Sequence, residues 1–213
     1  MLGRRKKPPV LAEIPPRAGG DGARGRGAIG RAEFEALSGL ADSVAGAGSV
    51  FVTGPSRSTV ALGVAAVATA RGSRVALLEC DLAEPSLAAT LGLEPVPGLR
   101  EHLLGAADAS EILQPLMLAG PASGAATEPL VCVVAGAPEP QPVGLLDSEG
   151  CDKAIQGLAR AYDLLVIDGP GLSEDAHSLT ALSEHAGATL VCGPRKTVPR
   201  TPPFKASGLV VTG

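Results

Sequence analysis

The 213-residue chain is 45% apolar, carries a net charge of −4 at neutral pH and is nearly devoid of aromatic side chains, with Phe34, Phe51, Tyr162, Phe204 and no tryptophan. That composition supplies a core of Val, Leu, Ile and Ala large enough for one α/β domain. It excludes the aromatic stacking platforms that single-stranded nucleic acid needs, so no nucleic acid partner is expected.

At the N-terminus, residues 1–31 carry eight Lys or Arg against two acids, so a basic arm precedes an acidic body. Arg4, Arg5, Lys6 and Lys7 form a cluster of the kind that lies against anionic lipid, worth about 1 kcal/mol per charge near a membrane surface. A solvated leader is the alternative. No apolar segment follows these charges as a secretory signal requires, and the longest apolar run, residues 60–70, is too short to cross a bilayer. The expected location is therefore cytoplasmic, peripheral at the inner face of the membrane if the arm binds lipid. Residues 1–30, rich in Gly, Pro and Arg, read as a tail or linker without regular structure, and the domain is expected over residues 31–213.

A helix is expected from Arg31 to Val44, then a buried strand from Ser49 to Val52. The next segment, Phe51-Val-Thr-Gly-Pro-Ser-Arg-Ser-Thr59, leads into a small-residue helix over Val60 to Arg71. Strand, glycine turn, hydroxyl pair and helix follow each other in the order of a phosphate-binding loop. In the full pattern, G-x-x-x-x-G-K-[ST], backbone N–H groups cradle phosphates, lysine reaches the β and γ oxygens and the hydroxyl holds Mg²⁺. Here Gly54, Pro55, Ser56, Arg57, Ser58 and Thr59 are the candidate nucleotide-binding residues. Arg57 stands in the place of the lysine, and its planar fork is longer than a compact ammonium. Ser56 replaces the preceding glycine, and a left-handed conformation there would cost roughly 1–2 kcal/mol.

Further along, a strand is expected over Arg74 to Glu79, a Ser86-capped helical stretch, and helices over Leu99 to Leu104 and Ala109 to Leu118. A flexible loop from Gly120 to Glu128 precedes a strand from Leu130 to Ala135. A helix over Ser148 to Ala161, a strand over Leu164 to Asp168, a helix over Asp175 to His185, and strands over Ala188 to Cys192 and Gly208 to Thr212 complete the pattern. Continuously apolar strands alternating with helices imply a mostly parallel sheet covered on both faces, with ligands at the carboxyl ends of the strands. Glu79, Asp81 and Asp168 fall at such ends. Asp81 and Asp168 are the candidate catalytic acids, joined by Arg57, and with Ser58 they are the candidate Mg²⁺ ligands. Turn chemistry is the alternative for each aspartate. Cys80, Cys132, Cys151 and Cys192 contain no CxxC pair and read as small core residues of a reducing compartment. His102, His177 and His185 lack metal-ligand spacing.

These segments resemble the bacterial tyrosine kinases and related cytoplasmic domains of capsular polysaccharide copolymerases, relatives of the Min/Par-type ATPases. The resemblance is carried by Pro8-Pro-Val-Leu-Ala-Glu-Ile-Pro15, by Val75-Ala-Leu-Leu-Glu-Cys-Asp-Leu-Ala-Glu-Pro85 and by Gly98-Leu-Arg-Glu-His-Leu-Leu-Gly105. Gly136, Pro142, Leu145, Leu146, Ser148 and Glu149 extend it, as does Tyr162-Asp-Leu-Leu-Val-Ile-Asp168. It implies a three-layer P-loop NTPase fold, ATP and Mg²⁺ as cofactors, a membrane-embedded copolymerase as partner, and a role in capsular or exopolysaccharide biosynthesis or export. The departures fall on functional positions. Besides Ser56 and Arg57, Glu79 replaces an aspartate, and Ala83 and Glu84 replace a basic pair. Glu35 and Ser38 stand where the family's ring-forming helix has arginines. The sole tyrosine, Tyr162, precedes a core strand, so no tyrosine-rich tail is present in this sequence. Pro199, Pro202 and Pro203 exclude a regular helix in the last crossover. The first expectation is thus a kinase-like domain with a weakened or lost ATP site. The alternatives are an active ATP-dependent tyrosine kinase or ATPase, with Arg57 doing the lysine's work, and a Min/Par-type positioning ATPase.

Overall fold

The computed structural model describes residues 8–15, 31–118, 128–172, 176–199 and 202–213. In chain order its strands are β1 (Val10–Ile14), β2 (Ser49–Thr53), β3 (Val75–Glu79), β4 (Gln114–Leu116), β5 (Leu130–Val133), β6 (Leu164–Asp168), β7 (Ala188–Pro194) and β8 (Gly208–Thr212). The helices are α1 (Arg31–Val44), α2 (Arg57–Ala70), α3 (Leu87–Leu91), α4 (Leu99–Leu103), α5 (Val143–Leu146), α6 (Glu149–Ala161) and α7 (Ala176–Glu184). One eight-stranded sheet runs β1-β8-β7-β2-β6-β3-β5-β4, parallel except for β4 against β5. The mostly parallel three-layer arrangement expected from the sequence is the one found.

Every residue of the central strands β2, β3 and β6 is buried, because helices cover both faces. Alternate side chains enter opposite cores. Val50 and Val52, Val75 and Leu77, and Leu164 and Val166 meet α1 and α2 through Leu37, Leu40, Val60 and Val64. Phe51, Ala76 and Leu78, with Leu165 and Ile167, meet Leu99, Cys151, Ile155, Leu179 and Leu182 from the other side. The small-residue composition of α2 lets it approach closely: at Gly63, an added Cβ would crowd the methyl groups of Leu37.

The structure departs from the sequence expectation in four places. Val10–Ile14, within the stretch read as an unstructured tail, forms an edge strand pairing with β8. Its ladder is closed at both ends, by Leu209 N–H donating to Pro9 O (2.8 Å) and Gly213 N–H donating to Ile14 O (2.9 Å). The helix expected over Ala109 to Leu118 is instead a turn followed by β4, because Pro115 cannot donate within a helix and is tolerated on an edge strand. Helix α2 begins at Arg57, three residues before the apolar run starts. The short helix α5, opened by Pro142, was not expected. In the last crossover no helix occurs among the described residues, in keeping with its prolines. Arg4, Arg5, Lys6 and Lys7, most of the Gly120 to Glu128 loop, and the start of the helix at Asp175 lie outside the described residues. No helix among those described is long and apolar enough to cross a membrane.

Candidate functional site

The carboxyl ends of β2, β6 and β3, three adjacent strands, meet the amino end of α2. Only Gly54, Pro55 and Ser56 connect β2 to α2. In the phosphate-loop pattern five residues separate the first glycine from the lysine; here two separate Gly54 from Arg57. The signal lies in the spacing and is legible in the sequence.

The short loop packs onto the neighbouring strands β7 and β8. Gly54 has φ +110, and a Cβ at this position would collide with the carbonyl oxygen of Cys192 on β7. Pro55 packs beside Gly193, and the Ser56 hydroxyl pairs with that of Thr212 on β8 at 2.8 Å. Ser56 itself has φ −111, so the left-handed strain considered for it is absent. The loop thereby crosses the carboxyl ends of β7 and β8. Thr59 is exposed on the first turn of α2.

Arg57 turns inward. Its guanidinium forms a close ion pair with Asp81, and its Nε lies 4.0 Å from Asp168 Oδ1. The side chains of Arg57, Asp81 and Asp168 are 17%, 5% and 1% exposed. Asp81 also accepts from the Glu84 N–H at 3.0 Å, closing the turn after β3. Arg57 Nε and Asp168 Oδ1 have no hydrogen-bond partner. Burial pushes the Asp168 carboxyl up to about 7, while the Ser58 hydroxyl and the Arg57 charge act in the opposite direction. The structure thus brings together Arg57, Ser58, Asp81 and Asp168, as the strand-end reading anticipated.

Glu79 sits at the same strand end, paired in register with Asp168, yet its carboxylate is engaged elsewhere. One oxygen accepts from Ser86 N (2.6 Å) and Leu87 N (2.8 Å) at the start of α3, and the other from Ala135 N (3.0 Å) after β5. A fully buried carboxylate with three backbone donors is a structural tie between β3, α3 and the β5 loop. Ser86 opens α3 as expected, but its side chain makes no cap; the Glu79 carboxylate takes that place at the helix amino end. Sequence reasoning put Glu79 among the site acids and missed this role, since it depends on how the loop to Ser86 and Leu87 folds back and on Ala135, 56 positions away.

An apolar cavity of ≈ 390 Å³ opens elsewhere, lined by Leu78, Leu99, Ile112, Val133, Leu158 and Tyr162 among others, and contains none of the site acids.

No protein-family model matches the chain. It is 27% identical over 154 residues to the tyrosine-protein kinase YwqD of Bacillus subtilis, an alignment covering 70% of this chain and 61% of that protein. It therefore spans under two thirds of that relative's length. The kinase domain of the Escherichia coli tyrosine kinase ETK superposes with a TM-score of 0.76 at 17% identity, covering 96% of this chain and 89% of that one. Cobyrinic acid a,c-diamide synthase of Mycobacterium smegmatis, solved with a bound ATP analogue and magnesium, matches with a TM-score of 0.50 at 21% identity, over 67% of this chain and 59% of that one.

Strand order, layers and loop position define a P-loop NTPase fold. Within that class, the relatives this chain resembles are the bacterial tyrosine kinase domains.

Proposed function

We propose that this chain is a kinase-like domain whose nucleotide site is closed by its own residues. It acts in the regulation of capsular or exopolysaccharide biosynthesis or export through contact with a membrane-embedded copolymerase. The observation that carries the closed site is the loop itself. Two residues between Gly54 and Arg57 leave too few backbone N–H groups to surround a phosphate. The space before α2 is occupied by the Arg57 guanidinium on Asp81. The groove over β7 and β8 is crossed by Pro55 and Ser56. ATP and Mg²⁺, the cofactors implied by the resemblance, do not fit residues arranged this way. The polysaccharide role and the partner rest on the resemblance, and anionic membrane contact through Arg4, Arg5, Lys6 and Lys7 belongs to the same proposal.

An active kinase or ATPase is the second reading, favoured by the survival of Ser58, Asp81 and Asp168 in one place. Calorimetric titration with ATP and Mg²⁺ separates the two. The expected result is no binding by the native chain or by Arg57→Lys, because a shorter cation does not restore the missing loop residues. Micromolar binding, worth about 8 kcal/mol, that disappears in Asp168→Ala would establish a working site instead.

A further inference from the structure

We propose that Arg57 is the resident cation of the site, standing permanently where a nucleotide site with two such acids would hold a divalent ion. The acids then serve the fold of this chain, and a cation-binding site lies masked beneath the arginine. This deepens the closed-site reading and rests on it.

Two aspartate carboxyls at most 5% exposed meet at one buried spot. Buried charges persist only when paired. Among the described residues Arg57 is the cation paired with either, in contact with Asp81 and 4.0 Å from Asp168. A cation at the first position of α2 is opposed by the positive end of the helix dipole. The position is therefore explained by the acids and not by the helix. The pairing is also incomplete. Asp168 Oδ1 and Arg57 Nε face each other without a hydrogen bond, although both are buried. A planar fork bonded to Asp81 does not reach both carboxylates with good geometry, whereas a small ion accepts oxygens from several directions. Asp168 thus retains an unused ligand atom directed at the guanidinium.

Removing the arginine should uncover the site. Thermal melting of the whole chain, with and without millimolar Mn²⁺ or Mg²⁺ and without nucleotide, tests this directly. The native protein is expected to melt at the same temperature in both conditions. Arg57→Ala is expected to melt lower than native without metal, to rise with Mn²⁺, and to lose that rise in the double variant R57A/D81N. Mn²⁺ binding followed by electron paramagnetic resonance should strengthen in Arg57→Ala by about tenfold or more, since a unit charge is removed from within 4.0 Å of the carboxylate. A folded Arg57→Ala that ignores Mn²⁺ overturns the proposal, as does a native chain stabilised by Mn²⁺ through Asp81.

Should Arg57→Ala be too unstable to isolate, the double variant decides: removing both charges should give a more stable protein than removing the cation alone. A double variant no better than the single one overturns the proposal. Mg-ATP binding by the native chain would sink the closed-site reading and this inference with it. A native chain that binds no nucleotide, beside an Arg57→Ala indifferent to Mn²⁺, sinks this inference only.

Discussion

At the scale of single residues, the carboxyl ends of the neighbouring strands β3 and β6 hold two acids with opposite occupations. Asp168 faces a cation and keeps one oxygen unbonded, while Glu79 spends both oxygens on backbone N–H groups. The extra methylene of Glu79 over aspartate carries its carboxylate past the site to Ser86, Leu87 and Ala135. Glu79→Ala should therefore cost several kcal/mol, since it leaves buried backbone N–H groups without their acceptor at about 1–3 kcal/mol each. Glu79→Asp keeps the charge but loses reach, and a smaller loss of roughly 1–3 kcal/mol is expected. Urea unfolding of both variants checks the order, and equal stability of all three proteins would contradict the assigned role. The convergence of Arg57, Asp81 and Asp168 was legible in the sequence, since parallel strands of one sheet bring their carboxyl ends together. The tie made by Glu79 was not, because it depends on loops meeting across 56 positions of chain, as between Glu79 and Ala135.

At the scale of elements, the interior strands read clearly and the edges did not. β2, β3 and β6 are continuous apolar runs covered on both faces, a pattern that survives any local ambiguity. β1 and β4 are half-exposed, proline-flanked or proline-containing, and gain their pairing from one neighbour only. The junction of β1 with β8 depends on one missing side chain: a Cβ on Gly208 would collide with the Leu11 side chain. Gly208→Val should displace β1 while leaving the β7–β8 pairing in place. Hydrogen exchange reads this at the Leu209 amide, bonded to Pro9 O at 2.8 Å. Its protection should fall by roughly tenfold or more, equivalent to about 1.4 kcal/mol. Unchanged protection would mean that Leu11 adjusts and the strand stays.

At the scale of the whole molecule, the two cores sit on opposite faces of one sheet and both contain cysteines. Cys132 and Cys192 lie in the face under α1 and α2, Cys80 and Cys151 in the other. All four are free and buried, and burial pushes the Cys132 and Cys151 thiols up to about 12 and raises those of Cys80 and Cys192 as well. Because the thiolate is the reactive form, native protein at about pH 8 should show almost no labelling. Unfolding in urea should expose all four thiols at once if the two faces form one cooperative unit. Labelling of one pair before the other would instead reveal separate cores. The strand order itself was beyond sequence reasoning, since it places β2 between β7 and β6 and depends on which crossovers pack, not on local pattern.

The outermost parallel ladder, β1 on β8, has a mechanical meaning. The arm ahead of β1 carries Arg4, Arg5, Lys6 and Lys7, and β1 is followed by residues 16–30 before α1. A pull on that arm reaches the β1–β8 ladder, the Glu13–Arg195 ion pair and Ile14, the strand's anchor in the core under α1 and α2. Under the membrane contact proposed for that arm, tension would be taken up first at this edge strand, while the remaining seven strands keep their pairing.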